Sequence, residues 1–356
     1  MGELGPVDRR IWVDGRLVPW EAATVHLLSH SLQRASLIFD FMSVHATARG
    51  PAIFRMPEHV RRLLRSAELI GLPLQRSAAE IEAAILETVR ANPGCTAVKV
   101  CAYLPSIEVE VVPMDDRVSV AVAAYDPARD ILARNPGTPH VRPELRLRLE
   151  KEIRKMRPEI IPPQAKVSAN YTSPMIAKWR ARRAGFDEVL LVDERGFLAE
   201  ASTENVFLVS ADGRLRTPSL EFVLPGVTRD AILAIAKHDG RPVSEEAIRP
   251  EELFEASEVF LTATSVGVWP VIDVDGRAVS EEAIQPEELF DASEVFLTAT
   301  SVGVWPVIDV DGRAIGQGAH RGTPGPVSRA LRQRFEEVVS GREPAFLSWL
   351  RFVDEA

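Results

Sequence analysis

Residues 243–278 and 279–314 are one 36-residue segment written twice, differing only at Arg249 versus Gln285 and Glu255 versus Asp291. Two copies are too few for a solenoid, because stacked repeats generally need three or more units to bury their faces. The expectation is therefore an ordinary domain that has gained a second copy of one of its own pieces. One copy takes its place in the fold, and the other 36 residues are accommodated outside it, looped out at the surface. The displaced copy carries Val, Phe and Trp, which makes it an aggregation liability or a partner contact.

Around the duplication the chain reads as α+β. Short β-like runs flank Asp14-Gly15, a strong hairpin signal. Residues 57–71 place Val60, Leu63, Leu64, Ala67 and Ile70 on one helical stripe, with Pro57 near the start and Gly71 at the end. A second helix covers 78–91, and strands follow at 97–104 and 117–125. The stretch 127–143 dissolves into prolines and polar residues and reads as a linker between a small α+β domain (1–126) and a larger β-rich one (144–356). In the second half a helix at 173–184 leads to strands at 187–193, 197–200 and 204–209, and a helix at 228–238 follows Leu224-Pro225-Gly226.

Composition excludes several classes. A net charge of -9 argues against a broad phosphate-binding surface, so nucleic acid is not an expected partner. The basic runs Arg61-Arg62, 151–157 and 180–183 are expected to be solvated helix faces. Cys95 and Cys101 are expected to be buried free thiols. No signal-like leader or bilayer-length apolar run is visible, so the expectation is a cytoplasmic chain without a membrane.

Three segments carry chemistry: Ala165 to Tyr171, Leu198 to Asn205, and Leu224 to Arg229. The run Leu261 to Ser265 joins them, with its duplicate Leu297 to Ser301. A lysine used for Schiff-base chemistry needs a partly desolvated pocket that favours the neutral amine. Pyridoxal phosphate needs a carboxylate opposite its ring nitrogen, and Glu200 can serve. Its phosphate needs N–H groups at a helix start, which Val227 and Thr228 supply.

In this order the segments resemble the class IV, fold-type-IV aminotransferases, most closely the branched-chain amino acid aminotransferase family. The resemblance runs from Ile11-Trp12-Val13-Asp14-Gly15 through Glu58-His59-Val60-Arg61-Arg62-Leu63 to Gly325-Pro326-Val327. It implies a two-domain α+β fold, a pyridoxal phosphate cofactor, a homodimer, and transamination between an amino acid and a 2-oxo acid. Lys166 matches the cofactor-binding lysine and proton shuttle, Tyr171 the partner of the phenolic oxygen, and Glu200 the partner of the ring nitrogen. Arg62, Val227, Thr228 and Thr264 or Thr300 match the phosphate ligands, and Leu224 the residue packed on the ring. Thr264 is favoured over Thr300 because its loop back to Thr228 is shorter and closes at lower entropy cost.

The substrate side departs from the family. Arg34 stands where an aromatic is usual, Phe41 where a glycine is usual, and Tyr103-Leu104-Pro105 lacks the arginine expected two residues on. Arg34, Phe39, Tyr103 and Ser265 are the substrate-binding candidates, and specificity resides in such contacts. A lyase resembling aminodeoxychorismate lyase, with Arg34 holding an extra carboxylate, is one alternative. A dimeric remnant disabled by the duplication is another.

Overall fold

Asp14 and Gly15 both have positive φ (47° and 97°), which turns strand β1 (Arg10–Val13) back onto β2 (Arg16–Pro19). A two-residue turn of this hand matches the twist of paired strands. The computed structural model describes residues 7–134, 145–210, 213–256, 258–264, 267–278, 295–299, 303–307, 309–310, 313–314, 334 and 336–355. The chain divides into two units. The first takes Met1–His140, Ala165–Asn170 and Val339–Ala356; the second takes Val141–Gln164 and Tyr171–Val338.

In the first unit the hairpin joins β3 (Ile38–Thr47), β4 (Gly50–Phe54), β5 (Ala97–Tyr103) and β6 (Ser119–Tyr125). With the C-terminal strand Leu350–Phe352 they form an antiparallel sheet in the order β2-β1-β6-β5-β3-β4-Leu350–Phe352. Helix α1 (His30–Arg34) precedes β3, and helices α2 (Met56–Ile70) and α3 (Ala78–Arg90) pack on the sheet and on each other. Gly71 ends α2 at φ 68°, and Ser77 and Glu80 form a reciprocal capping box that starts α3. Cys95 is buried and Cys101 half-buried; both are free thiols, and burial pushes Cys95 up to about 11. The stretch expected to be a linker opens with helical turns at Pro127–Ile131 and Leu132–Arg134, where buried Asp130 pairs with Arg9 at 2.8 Å. Residues 135–144 lie outside the described residues.

The second unit contains β7 (Leu145–Glu150), β8 (Glu188–Val192), β9 (Leu198–Ala201), β10 (Asn205–Val209), β11 (Leu215–Pro218) and β12 (Val243–Glu246). It continues with β13 (Glu258–Ala263), β14 (Gly267–Val274) and β15 (Arg277–Ala278), and holds helices α4 (Thr172–Arg183) and α5 (Val227–His238). The sheet runs β12-β11-β10-β13-β14-β7-β8-β9, with β15 on β14. Strand β9 also pairs back to β10, through Glu200 opposite Asn205. The ladders therefore close a ring of six strands, and the closing pair is made of two polar residues. No helix among the described residues is long and apolar enough to cross a membrane.

The duplication resolves asymmetrically. Strands β12 to β15 all come from the first copy, and Ile248, Leu253, Leu261 and Val274 are fully buried beside Leu145, Leu147, Leu190 and Val206. Burying each such side chain contributes about 1.5–3 kcal/mol. In the second copy 295–299 pairs with 303–307, and 309–310 with 313–314, as separate two-stranded ladders. Val295 faces Val307 just as Val259 faces Val271. In these residues the second copy forms hairpins that are not part of the large sheet. Register within a hairpin is set locally by the turn and its flanks, whereas a place in the large sheet requires β10 and β7 as neighbours, and the first copy occupies both.

Candidate active site

Lys166 lies in an extended segment docked against the start of β3. Its N–H donates to Ser66 Oγ at 2.9 Å, and its carbonyl accepts from Phe39 N at 3.0 Å. Val167 bridges Ile38, and Ser168 N donates to Leu37 O. Lys166 is buried, with Nζ 5.0 Å from the centre of the Phe39 ring. Ser66 Oγ also donates to the Arg62 carbonyl at 2.8 Å, so one hydroxyl ties the lysine's backbone to α2.

One turn earlier on that helix, Arg62 forks onto Asp40. Its Nε donates to Oδ2 at 2.9 Å and its second terminal nitrogen to Oδ1 at 2.7 Å. His59 Nδ1 lies 2.6 Å from Asp40 Oδ1. Burial pushes the Asp40 carboxyl up, but Arg62 and His59 outweigh it and hold it well below the usual carboxylate range. Burial lowers His59 despite the opposing pull of Asp40, so the ring stays neutral. An ionised Asp40 can only accept, which puts the ring proton on Nδ1. His59 Nε2 is buried without a hydrogen-bond partner among the described residues.

In the second unit Glu200 is 6% exposed and wrapped by donors. Lys155 Nζ is ion-paired to Oε1. Oε2 accepts from Asn205 Nδ2 at 3.1 Å and from Leu224 N at 3.0 Å. Asn205 Nδ2 also donates to the Leu224 carbonyl at 3.0 Å, so it fastens the Leu224-Pro225-Gly226 turn onto the carboxylate. That turn delivers the chain into α5, whose N-cap is Gly226. Val227 and Thr228 are buried in its first turn, and Thr228 Oγ1 lies 3.4 Å from Thr264 Oγ1. Thr264, from the first copy, follows β13; Thr300 lies outside the described residues. Half-buried Tyr171 ends the helical turn Ser168–Tyr171, and Leu224 is half-buried.

Of the substrate candidates, Phe39 is half-buried, with its ring centre 4.8 Å from Lys99 Nζ and 5.0 Å from Lys166 Nζ. Tyr103 is half-buried on β5, and burial, reinforced by Asp14, raises its hydroxyl. Arg34 is exposed and donates to the Val109 carbonyl at 2.8 Å. Ser265 lies outside the described residues.

The sequence reading missed Asp40, Ser66, Lys155 and Asn205 as parts of these clusters. Asp40 had a signal, since it shares the inward parity of Ile38 and Met42 on β3. His59, Arg62 and Ser66 had one too, standing as polar residues on the buried stripe of α2. The run 151–157 is corrected: it forms no helix, and Lys155 is buried. Arg62 is likewise buried rather than solvated, whereas Arg61 and Arg180 are exposed as expected.

The family profile "Amino-transferase class IV" matches residues 37–274. The chain is 33% identical over 274 residues to the branched-chain-amino-acid aminotransferase of Escherichia coli K12, covering 74% of this chain and 84% of that protein. It is 28% identical over 347 residues to the Pseudomonas aeruginosa protein of the same name, covering 97% and 98%. This chain belongs to the class IV aminotransferases, in the branched-chain amino acid aminotransferase family. The α+β architecture of this aminotransferase agrees with solved members. The T.th. branched-chain amino acid aminotransferase complexed with N-(5'-phosphopyridoxyl)-L-glutamate matches with a TM-score of 0.77 at 30% identity, over 98% of this chain and 100% of that one. The Thermoproteus uzoniensis branched-chain aminotransferase with norvaline matches with a TM-score of 0.77 at 28% identity, over 97% and 99%.

Proposed function

We propose that this aminotransferase uses pyridoxal phosphate held by Lys166, and moves the amino group of a branched-chain-like amino acid to a 2-oxo acid. The observation that carries the reading is Glu200: a buried carboxylate with three donors, in a chain whose family handles amino groups. A carboxylate has about four acceptor positions, so one position remains on Oε1 for a protonated ring nitrogen. The residues present fit the cofactor in other respects as well. Lys166 is a buried amine with its backbone fixed on two sides. Thr228 and Thr264 put two hydroxyls 3.4 Å apart beside a helix start, where anions are stabilised. The T.th. relatives in complex with phosphopyridoxyl-glutamate and with pyridoxamine phosphate support the assignment.

When bound, the cofactor supplies an electron sink for the substrate's Cα. The chain does the rest. Lys166 Nζ takes a proton at one carbon and returns it at another, as a positioned general base and acid. Glu200 would hold the ring-nitrogen proton, and Tyr171 would donate to the phenolic oxygen. The hydroxyls of Thr228 and Thr264 and the N–H groups of Val227 and Thr228 would hold the phosphate, and Arg62, whose guanidinium Asp40 holds in a fork, would be a further ligand by its match to the family's phosphate-binding arginine. Leu224 covers the ring. Phe39, Tyr103 and Arg34 would contact the substrate, with Ser265 the remaining candidate from the sequence.

A homodimer is part of the proposal. Leu27, Leu32, Ile107, Val109, Val112 and Met114 are exposed on two segments tied together by His30 N to Ser106 O and Arg34 to Val109 O. Apolar patches of this kind mark interaction surfaces. Light scattering of the purified protein at micromolar concentration should give twice the chain mass; an active monomer would remove the dimer from the proposal.

The test of function is borohydride trapping of the cofactor followed by peptide mass spectrometry, paired with a screen of amino donors against 2-oxoglutarate and pyruvate. The adduct should map to Lys166 and vanish in Lys166→Ala. An adduct on another lysine, or turnover that survives the substitution, would overturn the assignment.

A further inference from the structure

Lys155 looks in the sequence like one of several solvated cations, yet it is 8% exposed and ion-paired to Glu200. Its N–H donates to the Val192 carbonyl at 2.8 Å, which fixes its backbone to the end of β8. We propose that Lys155 is a positioning residue for the reaction: it keeps the Glu200 carboxylate ionised and oriented so that Oε1 presents its last lone pair to the cofactor's ring nitrogen. The inference rests on the reading of Glu200 as that nitrogen's partner.

Charge is the reason. A carboxylate moved out of water favours its neutral form unless a cation or strong donors compensate. Asn205 Nδ2 and Leu224 N are neutral donors, and both act on Oε2. Other ionisable groups of this unit have partners of their own: Lys178 pairs with Glu188, and Glu204 accepts from Thr203 N and Oγ1. Among the described residues Lys155 is thus the cation paired with Glu200. If Glu200 were protonated, its hydroxyl would donate to a neutral ring nitrogen, and the ring would lose the positive charge that makes it an electron sink. Lys155 also occupies the second position on Oε1, so the ring N–H is directed to the one that remains.

Lys155→Met removes the charge and keeps the length; Lys155→Arg keeps the charge. Two readouts separate the inference from the reading it rests on. In cofactor-free protein, thermal unfolding from pH 5 to 8 should show Lys155→Met losing stability relative to wild type as the pH rises. Glu200→Gln in the same background should abolish that pH-dependent difference. In the loaded enzyme, Lys155→Met should weaken pyridoxal phosphate binding and lower kcat by about tenfold or more, tenfold being the equivalent of one pK unit. KM should change little, the pH profile of the bound cofactor's absorption should shift, and Lys155→Arg should restore most of the loss. Wild-type pH profiles and cofactor affinity in Lys155→Met would refute the role of Lys155. An unchanged cofactor affinity and spectrum in Glu200→Gln would instead refute Glu200 as the ring partner. If Lys155→Met does not accumulate as folded protein, Lys155→Gln against Lys155→Arg carries the same comparison.

Discussion

Replacing Gly226 by alanine should damage the Glu200 cluster without touching Glu200 itself. A Cβ on Gly226 would fall 2.0 Å from Asn205 Oδ1, 3.2 Å from Asn205 Cγ and 3.1 Å from Arg229 Cβ. Backbone strain is not the cause, because φ -66° and ψ 128° suit any residue. The cause is that Asn205 has nowhere to go. Its other amide atom holds Glu200 Oε2 and the Leu224 carbonyl, and the side chain is short and buried. Swinging it aside forfeits one hydrogen bond to a charged acceptor, about 1.5–3 kcal/mol, and one to a neutral carbonyl, about 0.5–1.5 kcal/mol. The expected loss is about 2–4.5 kcal/mol in urea unfolding of cofactor-free protein, with at least about tenfold weaker pyridoxal phosphate binding by absorbance titration. Asn205→Ala removes the obstacle, so Gly226→Ala should cost far less in that background, and the double-mutant cycle isolates the contact. A Gly226→Ala protein within about 0.5 kcal/mol of wild type, or an additive cycle, would refute the account.

Two further outcomes follow from the same clusters. Burial, helped by the neighbouring Glu188, raises Glu204 from 4.5 to about 7, so the folded state keeps a proton that the unfolded chain releases. The associated stability is present below about pH 4.5 and is lost as the pH rises through about 7, amounting to about 3 kcal/mol at about 1.4 kcal/mol per pH unit. Denaturant unfolding of Glu204→Gln should therefore differ from wild type by about 2.5 kcal/mol more at pH 8 than at pH 5, because part of the effect is already lost at pH 5; a constant difference would contradict the assignment. Thr264→Ala should weaken pyridoxal phosphate binding by about ten- to a hundredfold, the value of a hydrogen bond to a charged group, whereas Thr300→Ala should not. The reverse pattern in a cofactor titration would move the phosphate site to the second copy.

Local order was legible in the sequence because its causes are local. The Asp14-Gly15 turn, the stripe on α2, the Ser77 start of α3 and the Leu224-Pro225-Gly226 entry into α5 each depend on residues within a turn or two of each other. Chemistry and resemblance were enough to nominate Glu200, Lys166 and the threonines. What surrounds them was not. Asp40 and Arg62 are 22 residues apart and meet only because β3 packs against α2. Lys155 reaches Glu200 across 45 positions because β7, β8 and β9 lie side by side, and nothing periodic near Lys155 announces its burial. The tandem repeat makes the division plainest. Its copies have nearly identical propensities and form hairpins in the same register, so no local rule can rank them. The sequence determined that a second hairpin exists; the sheet decided which copy belongs, because β10 and β7 each have one open edge to give.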